Sequence, residues 1–222
     1  MSSVRRGTLL SRSRAEAFSD GVFAVAITLL VFNITVPVAE SGRLLHSLLD
    51  EWPAFASYAV SFMTIGIIWV NHHATFSRVE RVDRPFLFIN LLLLMTVSFI
   101  PFPTNLLSHY IQSGLNARTA AVVYAATMTV MSLAFSGIWI YAVHRGLLHP
   151  ERVDSRAARS TIPRFGAGMV VYGISIVVAY FSPVGSLILF AALAIFYIFD
   201  QQASAGIAIE KSESDPTPAT RG

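Results

Sequence analysis

Cysteine is absent from this 222-residue sequence and lysine occurs once, at Lys211. The first absence removes disulfides and thiol chemistry without fixing a redox compartment. Charge of either sign is scarce: Asp, Glu, Lys and Arg make up 13% of the chain, where a soluble domain carries about a quarter. Also missing are the in/out alternating segments of about ten residues from which membrane β-barrels are built. No stretch is both long and polar enough for a soluble domain, so a basic nucleic-acid-binding surface has nowhere to sit and no nucleic-acid partner is expected. Metal-ligand spacing is lacking too. His72 and His73 are adjacent, diverge by about 100° on a helix and cannot grip one ion as an i, i+4 pair does, and neither a metal nor a cofactor is expected.

What the chain does contain is apolar length. Hydrophobic residues make up 54% of it and its mean hydropathy is +0.60. A helix crosses the hydrocarbon of a bilayer in about 20 apolar residues. On that measure the sequence predicts an all-α integral membrane protein with six spans, over residues 13–37, 53–78, 85–109, 117–144, 164–181 and 185–201. The last two come from one long apolar run, divided by the turn signal "SPVGS" (Ser182 to Ser186). Residues 1–12 read as a cytoplasmic N-terminal segment, 13–202 as the membrane domain and 203–222 as a disordered cytoplasmic tail.

Orientation follows from the basic residues. With the N-terminus inside, the inner segments hold Arg5, Arg6, Arg12 and Arg14, then Arg78, Arg81 and Arg84, then Arg145, Arg152, Arg156, Arg159 and Arg164, and last Lys211 and Arg221. Only Arg43 and Arg118 fall in outer loops. Fourteen against two sets both termini in the cytoplasm.

The first span, "RAEAFSDGVFAVAITLLVFNITVP" (Arg14 to Pro37), carries a carboxylate, Asp20, into the apolar zone. An ionisable group there needs a partner or a watery neighbour. On a helical wheel Phe18, Gly21, Val25, Thr28, Phe32 and Thr35 share one stripe, and Asp20 points about 140° away from Val25. The second span ends in "WVNHHATF", which brings His72 and His73 to the cytoplasmic end, and Asn90 lies early in the third. Ser19, Asp20, one of those histidines and Asn90 can therefore meet at one depth and satisfy each other by hydrogen bonds. The stripe is nearly apolar, and periodicity alone reads it equally as helix packing or lipid contact.

The motif Arg-x-x-x-Phe-Ser-Asp (Arg14, Phe18, Ser19, Asp20), the following "GVFAVAITLLV" and the second span's "SYAVSFMTIGIIWVNHHATF" resemble the prokaryotic branch of the transmembrane protein 175 family of potassium channels. The resemblance covers about residues 10–200. It implies a modestly potassium-selective, leak-like cation channel in a prokaryotic plasma membrane, assembled as a homotetramer with the first helix of each subunit on the axis. It also implies a hydrophobic constriction at Val25, with further pore layers at Thr28 and Phe32, in place of a carbonyl filter loop; no Thr-Val-Gly-Tyr-Gly loop is present here. Arg14, Phe18, Ser19, Asp20, His72, His73 and Asn90 would then form a structural polar network. Val25 is smaller and Phe32 larger than the residues that relatives usually carry, which leaves open which ring is narrowest.

Two other classes compete. A secondary transporter could couple cations or protons through Asp20 and His72 or His73, but the sequence shows no internal repeat of the sort such proteins use. An intramembrane enzyme would need a nucleophile, base or metal clamp acting together, and no such set is present, so no enzymatic activity is expected.

Overall fold

The computed structural model describes residues 12–150, 159 and 161–197, with backbone alone over 162–169. The tail expected over 203–222, most of the segment expected over 1–12, and the last residues of the expected sixth span lie outside the described residues. Among those described the fold is helical, apart from one isolated bridge between Val79 and Leu148.

Helix α1 (Arg12–Leu29) passes into a 3-10 turn (Leu30–Asn33), and the chain is extended from Ile34. The sequence predicted helix to residue 37. It ends earlier because Ile34, Thr35 and Val36 are β-branched and Val36 precedes Pro37, which pushes it out of the helical region. Thr35 therefore leaves the stripe.

After a turn at Gly42, whose φ of 84° lies in glycine's favoured region, a short helix α2 (Leu44–Asp50) precedes α3 (Trp52–Arg78). The sequence reading had only a loop at α2. Next come α4 (Arg84–Phe99) and α5 (Pro101–Tyr110). Together they make one apolar stretch of 27 residues, bent where Pro101 lacks the N–H that would bond the Val97 carbonyl. Asn33 Nδ2 donates to the Pro101 carbonyl at 3.1 Å, so the turn that follows α1 is tied to the junction of α4 and α5.

Helix α6 (Leu115–Arg145) runs through the centre and stops at Gly146, which closes it in the left-handed conformation. Helices α7 (Ile162–Phe181) and α8 (Pro183–Tyr197) follow, parted by the expected turn at Ser182, whose Oγ accepts from the Gly185 N–H at 3.1 Å. Helix α6 packs against α4, α5 and α7, and α1 packs on α3 and α4 at one flank. The core is built on Tyr124, Met128 and Ile138 of α6 with Phe86, Leu93 and Val97 of α4. Within it Ser61 links three helices, bonding Thr104 Oγ1 at 2.8 Å and Tyr124 Oη at 3.0 Å.

Four stretches are long and apolar enough to cross a membrane: Arg12–Asn33, Trp52–Arg78, Arg84–Tyr110 and Leu115–Arg145. Val170–Phe181 and Pro183–Tyr197 are shorter apolar helices. The protein is a membrane protein.

Candidate functional site

Helix α1 has two unlike faces, and the site is the contrast between them. Ser19, Phe23, Ala26 and Leu30 recur at spacings of four, three and four and are buried, the pattern of a helix seated on its neighbours. Ser19 anchors that face. Its Oγ donates to the Ala15 carbonyl at 2.8 Å and accepts from Asn90 Nδ2 at 3.0 Å. With the amide nitrogen so used, the Asn90 carbonyl oxygen faces His72 Nε2 at 2.8 Å, which assigns the ring proton to Nε2. All three side chains are buried. The imidazole also stacks on Phe76, with centroids 4.3 Å apart, and lies 5.3 Å from Phe23. Three helices, α1, α3 and α4, are thus pinned by one chain of hydrogen bonds.

Asp20 does not belong to that chain. Rotated by one residue from Ser19, its Oδ1 accepts from Trp69 Nε1 at 2.9 Å. Nor does His73 join it: its Nδ1 lies 3.1 Å from Glu16 Oε1, and Glu16 is also 3.8 Å from Arg12. The expected cluster of Ser19, Asp20, one histidine and Asn90 thus forms without Asp20, since His72 turns to Asn90 and His73 to Glu16. Sequence reasoning missed Trp69 and Glu16. A signal was available in the matched spacing of Glu16 and Asp20 on α1 with Trp69 and His73 on α3. Each pair is separated by four residues, so two antiparallel helices present two rungs to each other. Arg14, on a further side of α1, is exposed.

The opposite face is bare. Phe18 and Val25 are each 58% exposed and Phe32 is 78% exposed. With Gly21, Leu29 and, from α4, Ser98, the first two line a shallow apolar groove. A side chain at Gly21 would meet nothing within 4 Å. Thr28 is the polar residue on this face, and its Oγ1 lies 2.9 Å from the Val25 carbonyl and 3.0 Å from that of Ala24. Its one proton is therefore held within the helix, and its oxygen keeps lone pairs for an outside donor or cation. Phe32 stands in the 3-10 turn, where the advance per residue is about 120°.

Residues 14–101 match the family described as "Endosomal/lysosomal potassium channel TMEM175". A protein of Streptomyces collinus named a potassium channel is 47% identical over 85% of this chain and 92% of its own length. The chain belongs to the TMEM175 family. Among solved structures, the crystal structure of a lysosomal potassium-selective channel TMEM175 homolog from Chamaesiphon minutus matches with a TM-score of 0.76 and 37% identity, covering 85% of this chain and 97% of that one. The TMEM175 of Gallus gallus, named an endosomal/lysosomal proton channel, is 35% identical over 64% of this chain, which spans 30% of that longer protein.

Proposed function

We propose that this TMEM175 member is the subunit of a homotetrameric, modestly potassium-selective leak channel of a prokaryotic plasma membrane, with α1 of each copy lining the conduction path. Each subunit crosses the bilayer six times, α7 and α8 supplying the fifth and sixth crossings, and both termini are cytoplasmic. The distribution of arginines supports that orientation. The observation that carries the proposal is the bare face of α1: in a helix pinned to its neighbours by Ser19 and Phe23, Val25 and Phe32 remain uncovered on the other side. The potassium-channel names of the Streptomyces and Chamaesiphon relatives add support for potassium.

The mechanism follows from the residue types. Converging rings of Val25 and Phe32 expel water when narrow and stop ions by dewetting. When the rings separate, an ion passes partly stripped of water, and potassium sheds water at lower cost than sodium. Thr28 oxygens, with their protons turned back into the helix, offer lone pairs to the stripped ion. Selectivity of this kind is modest. Ser19, Asn90, His72, and the Asp20 to Trp69 bond act as scaffold.

Reconstitution into liposomes tests the reading. Currents that reverse near the potassium equilibrium potential support it. A saturating flux coupled to a second ion would assign the chain to transport, and reversal at the proton potential would assign it to protons. Val25→Ala and Phe32→Ala should each raise conductance or reduce discrimination against sodium, and unchanged currents in both would remove them from the gate.

A further inference from the structure

The turn joining α3 to α4 reads Arg78-Val79-Glu80-Arg81-Val82-Asp83-Arg84, an arginine at every third residue. Its conformation explains the spacing. Val79 and Val82 are buried, 0% and 4% exposed, while Arg78, Arg81 and Arg84 are turned outward. The turn is held by backbone bonds to the segment after α6: Glu80 N–H donates to the Leu147 carbonyl at 2.8 Å, and His149 N–H donates to the Arg78 carbonyl at 2.9 Å. That segment reverses at Gly146, with φ of 61°, so the exposed Arg145 at the end of α6 joins the same corner.

The corner's carboxylates are engaged elsewhere or answer one arginine only. Asp83 accepts from the Phe86 N–H at 3.0 Å through Oδ1 and from Tyr141 Oη–H at 2.8 Å through Oδ2. Glu80 lies 3.7 Å from Arg81. Among the described residues Arg78, Arg84 and Arg145 have no carboxylate partner. The Arg78 guanidinium lies 6.0 Å from the Trp139 ring centroid, a placement suited to the boundary between apolar and polar layers. One turn farther into α4 from Arg84, Phe88 is 70% exposed.

We propose that Arg78, Arg81, Arg84 and Arg145 form a binding site for the phosphate headgroup of an anionic membrane phospholipid. The guanidinium is the side chain best shaped for phosphate, donating two parallel N–H bonds. Buried valines fix where these arginines project, and the site lies at the ends of three membrane-spanning helices. Phe88 offers an apolar flank for an acyl chain directly below Arg84, which selects a lipid over free phosphate. Juxtamembrane arginines attract anionic lipid in this way. A bound headgroup would hold the ends of α3, α4 and α6 together at the end of α3 that carries His72 and His73.

The test is a binding measurement on the purified full chain in detergent, independent of ion conduction and of its orientation in a membrane. Fluorescent phosphatidylglycerol should bind in preference to phosphatidylcholine, and millimolar inorganic phosphate should not displace it. Arg78→Gln/Arg81→Gln/Arg84→Gln should weaken phosphatidylglycerol binding by roughly a hundredfold, at about fivefold per arginine. Arg78→Lys/Arg81→Lys/Arg84→Lys should recover part of it, which separates loss of the site from loss of fold. Equal binding of both lipids, displacement by inorganic phosphate, or an equal loss in Arg152→Gln/Arg156→Gln/Arg159→Gln would each overturn the proposal.

Discussion

The two faces of α1 obey different rules although they share one backbone. On the buried face the side chains are joined by hydrogen bonds, Ser19 to Asn90 and Asn90 to His72 Nε2, with Phe23 and Leu30 filling the space around them and His72 Nδ1 left without a partner. On the bare face Phe18, Val25 and Phe32 contribute little to the fold of a single subunit. An exposed apolar face costs nothing in lipid, so lipid, a second copy, or a pore that must shed water are all compatible with it. If the proposed pore is right, the difference teaches that stability and conduction are divided between opposite sides of one helix. Substitutions should then separate cleanly, with the buried face moving the unfolding midpoint and the bare face moving the current.

The largest expected effect lies on the buried face. Phe23→Ala should destabilise the subunit by about 3 kcal/mol, because a cavity is left where an aromatic ring packed against His72; chemical denaturation in detergent would measure it. Asn90→Ala comes next, at about 2 kcal/mol, since it leaves the buried His72 without a hydrogen bond, while Ser19 keeps its bond to the Ala15 carbonyl. Trp69→Phe keeps an apolar ring and removes only the N–H to Asp20, for about 1 kcal/mol. Glu16→Gln should shift the midpoint by no more than about 0.5 kcal/mol, because its partner His73 is largely exposed and the pair is screened. Val25→Ala should leave the midpoint unchanged within error while altering current. A Val25→Ala protein that unfolds as easily as Phe23→Ala would erase the distinction between the faces.

Much of this was legible in the sequence. The spans now seen as α3, α6 and the α4–α5 stretch are written as long charge-free runs, and Ser182 to Ser186 marks the division between α7 and α8 by its proline and glycine. Helical spacing groups Phe18 to Phe32 on one stripe, but that the stripe is bare shows only in the exposure of its side chains; the depth of Ser19, Asn90 and one histidine is legible in the sequence, their bonds are not. Local backbone preference hid the end of α1. The predicted span runs to Pro37, but that proline's constraint on Val36 and the β-branched residues before it act earlier. The short α2 escaped because its leucines sit in a polar loop and none is buried.

Asp20's partner was missed for a different reason. The indole N–H of Trp69 lies one turn before His73 on α3 and carries no charge to mark it in the sequence, though it is a donor with no competing acceptor role. Rotation decides the rest. One residue beyond Ser19, Asp20 faces a different line of α3 and meets Trp69, while His72 remains with Asn90. Helical phase outweighs sequence depth in choosing between the two pairings.

Because the chain lacks cysteine, one introduced thiol reports on one position. The most direct test of α1 as the lining of the path compares Val25→Cys with Phe23→Cys in reconstituted channels treated with a hydrophilic thiol reagent. The current through Val25→Cys should be blocked and that through Phe23→Cys should be unaffected. Full current through Val25→Cys after complete modification would contradict the assignment of the bare face to the pore.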